Sequence, residues 1–311
     1  MYRENKWEKA IRYSVMPLIY ILLTIMAAFM LLPFYWMLIT SFKTFIEATA
    51  PIPIWWINPS TWQWENYELA YNLMIRVGGN IENVPQFMDH VLKRYVNFGD
   101  FFFNTVFSTL INTILTLITV ILGAFAVARV NFAGKKVIFA IMIATMMVPG
   151  EMILITNIVT IYQLNWTDTF EGIIMPFIAS VFYTFLLVQL FRQIPDSLYK
   201  AARVDGCSDW KFLWRVLVPM SKNTLITIAI LDSIGSWNAY LWPYMVNRAP
   251  RMYVLSVALY EFTSALTGVT QTPAPQILMA AAAITIAPMI LVYLLLRKQI
   301  IAGVTRGGTK G

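Results

Sequence analysis

The stretch FFFNTVFSTLINTILTLITVILGAFAVA, residues 101–128, runs for 28 residues without an Asp, Glu, Lys or Arg. About 20 apolar residues let a helix cross the hydrocarbon of a bilayer, so this stretch has the length and composition of a membrane span. Working outward from it, charge-free runs of 30, 20 and 35 residues occupy 13–42, 172–191 and 262–296. Two more appear if a single acid is tolerated, at 137–167 around Glu151 and 223–247 around Asp232. The expected fold is therefore all-α and integral to the membrane, a bundle of six transmembrane helices at 14–41, 101–128, 137–163, 172–191, 223–246 and 275–296. An N-terminal segment (1–13), long loops at 42–100, 192–222 and 247–274, and a tail at 297–311 make up the rest.

The whole composition agrees with this. Of 311 residues, 59% are hydrophobic and 13% charged, about half the ~25% charge of a soluble domain. One cysteine, Cys207, and one histidine, His90, exclude an internal disulfide and a Cys/His metal cluster. No paired acid and base stands out, so neither a catalytic residue nor a metal ligand is expected. A phosphate-binding G-x-x-x-x-G-K loop is missing too, because Arg129 stands where Gly134-Lys135 would need the first glycine.

Six crossings put both termini on one side. Seventeen Lys/Arg fall in 1–13, 129–136, 192–222 and the tail, against six in the segments between, which predicts both termini in the cytoplasm. The net charge of +7 is thus an orientation signal, and no nucleic-acid partner is expected. The first apolar run exceeds a signal peptide's core and should remain as an anchor. In the outer loop, Trp55, Trp56, Trp62 and Trp64 form a cluster that suits either an interfacial belt or a protein-docking surface.

The inner loop reads RQIPDSLYKAARVDGCSDWKFLWRVLVPMSK over 192–222. Asp196 or Ser197 can cap a helix running to about Asp205, and Gly206 suits the left-handed residue that ends it. Ser208 or Asp209 can cap a second helix stopped by Pro219. The resulting helix, turn and helix suits a groove on a partner protein, with Leu198, Tyr199, Phe212 and Trp214 as apolar area. It suits equally an amphipathic segment lying on lipid headgroups.

Inside the spans, polar residues mark places that avoid lipid. Asn104, Ser108, Asn112 and Thr116 recur at four-residue steps with Thr105, Thr109 and Thr113 beside them, a stripe expected to pack between helices. Asp232 is costly in a bilayer unless it faces water or a partner. With Ser236, Trp237, Asn238 and Tyr240 nearby, it makes a candidate substrate path together with Asn112 and Glu151. Pro149-Gly150 should interrupt the third span next to Glu151. Glu151 and Asp232 also leave open an ion- or proton-coupled secondary transporter.

The inner loop also resembles the EAA loop of binding-protein-dependent ABC importer permeases. Ala201, Ala202, Asp205, Gly206 and Pro219 match that pattern, while Lys200 stands where glutamate is usual and Val218 where leucine is common. LLPFYWMLITSFKT (31–44), NYELAYN (66–72), ARVNFAGKK (128–136), VPGEMILI (148–155), SWNAYLWPYMV (236–246) and the ending AGVTRGGTKG are similar to the carbohydrate branch, the maltose-transporter-type permeases. The segment 77–96 has no counterpart there.

The resemblance implies the type I importer fold, with a cytoplasmic coupling helix and a long extracytoplasmic loop after the first span. It also implies a coupling set of Lys200, Ala201, Ala202, Asp205, Gly206, Trp210 and Pro219. The partners it implies are a second, different permease subunit, two ATPase subunits holding ATP and Mg, and an extracytoplasmic solute-binding protein. The location implied is a bacterial or archaeal plasma membrane. Family members usually carry an apolar residue at Asp232, so that acid is either a substrate feature or half of a structural pair. The tail after Gln299 reads by composition as a flexible end, and the resemblance implies that it reaches between the ATPases.

Overall fold

The computed structural model describes residues 6–75, 98–270 and 274–305. The expected insertion at 77–96, His90 and the last six residues lie outside them. Helices and turns account for every described residue in regular structure. In chain order the helices are α1 (Lys6–Ser41), α2 (Phe45–Ala48), α3 (Glu65–Ile75), α4 (Phe98–Ala128), α5 (Lys135–Thr145), α6 (Gly150–Gln163), α7 (Phe170–Ile174) and α8 (Val181–Gln193). They continue as α9 (Asp196–Val204), α10 (Asp209–Phe212), α11 (Val218–Met220), α12 (Lys222–Trp237), α13 (Leu241–Val246), α14 (Leu255–Thr270) and α15 (Pro275–Thr305).

Three helices carry a span unbroken, at Val15–Ser41, Gly99–Ala128 and Pro275–Leu295. Three bent helix pairs pass the same length and hydropathy test: α5 with α6 at 100°, the 170–177 segment with α8 at 43°, and the 209–220 end of the inner loop with α12 at 78°. The first bend is the expected interruption, since α5 stops at Thr145 and Pro149 caps α6. The fourth span is not one helix over 172–191: Pro176 sits in a 3-10 turn, and extended Ser180 starts α8 by accepting from the Tyr183 amide. The fifth span breaks as well. The Asn238 side chain donates to Ile234 O at 2.9 Å, competing with the backbone ladder, and Pro243 has no N–H with which to continue it.

Two expectations about loops and tail are corrected. Within 247–274, Leu255–Thr270 is a 16-residue helix, hidden in the sequence because Glu261 cuts its apolar run. The tail is helical as far as Thr305. Ile300, Ile301 and Ala302 carry the helix forward, and one glycine, Gly303, costs only ~1 kcal/mol.

The chain forms two compact units, residues 1–73 with 266–286, and residues 74–265 with 287–311. In the first, α1 tolerates Pro17 and Pro33, as membrane helices do. Its end is knotted by Asn66, whose Nδ2 donates to Ser41 O at 2.9 Å and Lys43 O at 2.8 Å. Thr44 and Glu47 form a complete capping box. Lys43 is only 1% exposed. Its ammonium lies 3.9 Å over the Trp36 ring, and burial pushes its pKa down against the opposing pull of Glu47.

The second unit is built around α4. Val120, Ile121 and Ala124 of α4 meet Leu187, Val188 and Phe191 of α8, together with Phe212, Leu213, Leu217 and Ile228. The polar stripe of α4 is buried throughout. Asn104 donates to Arg251 O (2.8 Å) and Tyr253 O (3.0 Å), and Thr105 Oγ1 accepts from the Leu255 amide at 2.8 Å, so α4 holds the turn that starts α14.

Candidate coupling element and transport cavity

The inner loop takes the expected shape with two refinements. Helix α9 starts behind Pro195, and Gly206 adopts φ +73. Ser208 caps the next helix by accepting from the Lys211 amide. Asp209, expected only as a cap, accepts from Tyr199 Oη at 2.7 Å and Arg203 at 3.2 Å, pinning the two helices together. That hydrogen bond, and secondarily burial, raises the Tyr199 pKa above its ordinary value.

Pro219 does not stop the second helix. Residues Leu213–Leu217 form a π-turn, in which the Val218 amide bonds Leu213 O, and α11 continues to Met220. The wider turn shifts the register around a proline that has no N–H to give.

The loop has an inner and an outer face. Tyr199, Ala202 and Cys207 pack on the core formed with Phe191, Ile194 and Phe212. Lys200, Ala201, Asp205 and Gly206 are exposed, as are Val204 (88%) and Trp210 (60%), whose ring lies 5.7 Å from that of Trp214. The two alanines therefore differ: Ala202 lets α9 approach its own core, and Ala201 keeps the outer face thin.

Arg129 is the residue that reading the sequence missed. Its side chain is 6% exposed. It donates to Phe191 O and Ile194 O at 2.6 Å each and to Asp196 at 2.5 Å. One guanidinium thus ties the end of α4 to the end of α8 and the start of α9, and it neutralises carbonyls at a helix C-terminus.

Nearer the middle of α4, a cavity of 590 Å³ is lined by Ser108, Asn112, Glu151, Tyr183, Asp232, Ser236 and Tyr240 among others. Asp232 Oδ2 accepts from Asn112 Nδ2 at 3.1 Å and Thr113 Oγ1 at 2.9 Å. The acid is therefore both a structural pair between α4 and α12 and part of the cavity wall. The other candidates divide. Asn112, Glu151, Ser236 and Tyr240 join Asp232 at the cavity, whereas Trp237 packs with Phe101, Leu255 and Ala258, and Asn238 turns back onto its own helix. Tyr183, which lines the cavity, carries no signal in the sequence beyond an apolar context.

Residues 119–306 match the family of binding-protein-dependent transport system inner membrane components. The chain belongs to this family. Among curated relatives, the arabinooligosaccharides transport system permease protein AraQ of Bacillus subtilis is 30% identical over 76% of this chain and 85% of its own. The diacetylchitobiose uptake system permease protein NgcG of Streptomyces coelicolor is 26% identical over 92% of this chain and 86% of its own. The sn-glycerol-3-phosphate transport system permease protein UgpE of Yersinia enterocolitica is 30% identical over 66% and 72%. A solved bacterial ABC transporter involved in the import of the acidic polysaccharide alginate shares the fold, with a TM-score of 0.73, 24% identity, and coverage of 96% of this chain and 99% of that one.

As a permease of this family the chain is a transport subunit and not an enzyme, and its partners include a solute-binding protein and an ATPase. Membership sets aside the ion-coupled secondary transporter. It also places the chain in an inner membrane.

Proposed function

We propose that this permease carries a neutral sugar or oligosaccharide from an extracytoplasmic binding protein to the cytoplasm. It does so as one of two different permease subunits, driven by two ATPase subunits that hold ATP and Mg. The lining of the cavity carries this reading. Carboxylates at Glu151 and Asp232, the Asn112 amide and the hydroxyls of Ser108, Ser236 and Tyr240 can exchange hydrogen bonds with a polyol that has shed water, and the Tyr240 ring offers an apolar face. Among the described residues, two acids and no Lys, Arg or His line it, a field that repels an anion such as a sugar phosphate. The names of the arabinooligosaccharide and diacetylchitobiose relatives support the same class.

Both termini lie in the cytoplasm on this reading, as the basic residues suggest. The outer face of α9 with Lys200, Ala201, Asp205, Gly206 and Trp210 then seats in the ATPase. ATP binding closes the ATPase pair, α9 moves with it, and the spans alternate between inward- and outward-open states. The test is uptake by the complete transporter, competed with neutral oligosaccharides and with sugar phosphates. Neutral sugars should compete, and Asp232→Asn should cut uptake at least tenfold while the assembled complex is retained. Competition by the phosphates alone would sink the reading.

A further inference from the structure

Residues 48–64, ATAPIPIWWINPSTWQW, carry no charge, although they follow a helix that has just left the apolar part of α1. In the fold, this segment does not continue away from the span. Trp55 turns back: its ring lies 4.9 Å from that of Trp36, and its carbonyl accepts from Tyr35 Oη. Trp36 stands five residues before Ser41, the end of α1, which places Trp55 about 7.5 Å back along the axis, at 1.5 Å per residue.

The side chains there face outward, with Ile52 80% exposed, Trp56 69% and Trp55 52%. They are continuous with the exposed apolar flank of α1, where Leu31, Phe34 and Leu38 are 64%, 46% and 47% exposed. The backbone sets the depth. Among the described residues, the amides of 52–57 donate to no other backbone carbonyl, and Pro51 and Pro53 have no amide to donate. Free N–H groups are excluded from hydrocarbon but are satisfied by water and headgroups. Trp side chains concentrate in that same layer.

We propose that residues 49–58 are an interfacial membrane element, with Ile52, Trp55 and Trp56 as its lipid anchors. The occupant of this apolar face is the bilayer, because the face lies against the end of a helix long and apolar enough to cross a membrane and carries no charge with which to select a protein. Buried Lys43, two residues past the end of α1 and over the Trp36 ring, holds the α1 end that the element folds against.

The test places nitroxide labels singly at Ile52→Cys, Trp56→Cys and, as a water-facing control, exposed Glu68→Cys. The background is Cys207→Ser with cysteine-free partners, and the whole transporter sits in lipid nanodiscs. Collisions with oxygen, which concentrates in lipid, are compared with collisions with a water-soluble nickel chelate. The oxygen-to-nickel ratio at 52 and 56 should be at least threefold that at 68, both before and after the solute-binding protein is added. Equal ratios would mean a water-exposed loop and overturn the proposal. Loss of both kinds of collision, at the start or when the binding protein arrives, would mean a protein interface and overturn it too. Unlabelled protein gives a second reading: quenching of tryptophan fluorescence by brominated lipid should fall in the Trp55→Phe, Trp56→Phe double variant, and unchanged quenching counts against lipid contact.

Discussion

Replacing Arg129 tests whether the coupling helix is held by one clasp. The guanidinium makes three bonds, but they are unequal. Phe191 and Ile194 are 0% and 7% exposed, so the carbonyls bound by Arg129 lie in a buried setting, where a charge-assisted bond contributes about 1.5–3 kcal/mol. Asp196 is 81% exposed at its side chain, and an ion pair open to water contributes ~1 kcal/mol or less. Arg129→Ala should therefore cost about 3–5 kcal/mol, the range for removing one partner of a buried charged network. Asp196→Ala should stay below ~1 kcal/mol, and Arg129→Lys should fall between, since an ammonium cannot fork to all three acceptors. Thermal unfolding of the transporter in nanodiscs gives the order. The expected drop for Arg129→Ala is on the order of ten degrees, and for Asp196→Ala a degree or two. ATP hydrolysed per solute imported reads the second consequence, because α9 without its clasp should move without moving α4, raising that ratio. Equal melting shifts for Arg129→Ala and Asp196→Ala would refute the clasp.

Four further outcomes follow from the geometry. A Cβ at Gly172 would lie 2.2 Å from Trp166 O and 3.0 Å from Val246 Cγ1, so Gly172→Ala should cost at least ~2 kcal/mol, seen as lost assembly or a lower melting point. At Gly235 a Cβ meets nothing within 4 Å, so Gly235→Ala in α12 should be neutral or stabilising by up to ~1 kcal/mol in the same assay. Gly206→Val meets no atom either, but it places a β-branched residue at φ +73, costing about 1–2 kcal/mol locally and reducing ATP-driven uptake. The raised pKa of Tyr199 has a definite sign: the stability it contributes is present below the ordinary value of 10.0 and is lost as pH rises through the higher folded value. Tyr199→Phe should therefore lack that alkaline loss in a pH series of melting temperatures.

What could be read from the chain was what depends on neighbours in sequence. The turn at Gly206 was legible because only glycine takes its backbone angles cheaply, and the bend after α5 because Pro149 removes a donor. The stripe from Asn104 to Thr116 was legible because four-residue spacing forces one helix face. Asp232 announced itself by cost alone, and its partners did not, since Asn112 and Thr113 lie 120 and 119 residues away. Arg129 was invisible for a different reason: at the end of a span an arginine reads as a marker of the cytoplasmic side, and the carbonyls it binds exist as free acceptors only once α8 has ended. The breaks in the fourth and fifth spans were hidden because hydropathy averages over a window, whereas Ser180 and Asn238 act through single hydrogen bonds.

These placements make α4 the one element on which the second unit's functional parts converge. The three bent helix pairs of that unit turn by 100°, 43° and 78°, each where the helix is interrupted. Helix α4 has no such break over Phe98–Ala128. It grips the 251–255 turn through Asn104 and Thr105, Asp232 through Asn112 and Thr113, and the coupling loop through Arg129. At 1.5 Å per residue, these grips stand roughly 12 Å and 24 Å apart along one axis. On the alternating-access proposal, α4 is the hydrogen-bonded rod that would carry a displacement at Arg129 to the cavity wall. The polar stripe packs between elements as its spacing predicts, and through Asn112 and Thr113 it bonds the straight helix to α12.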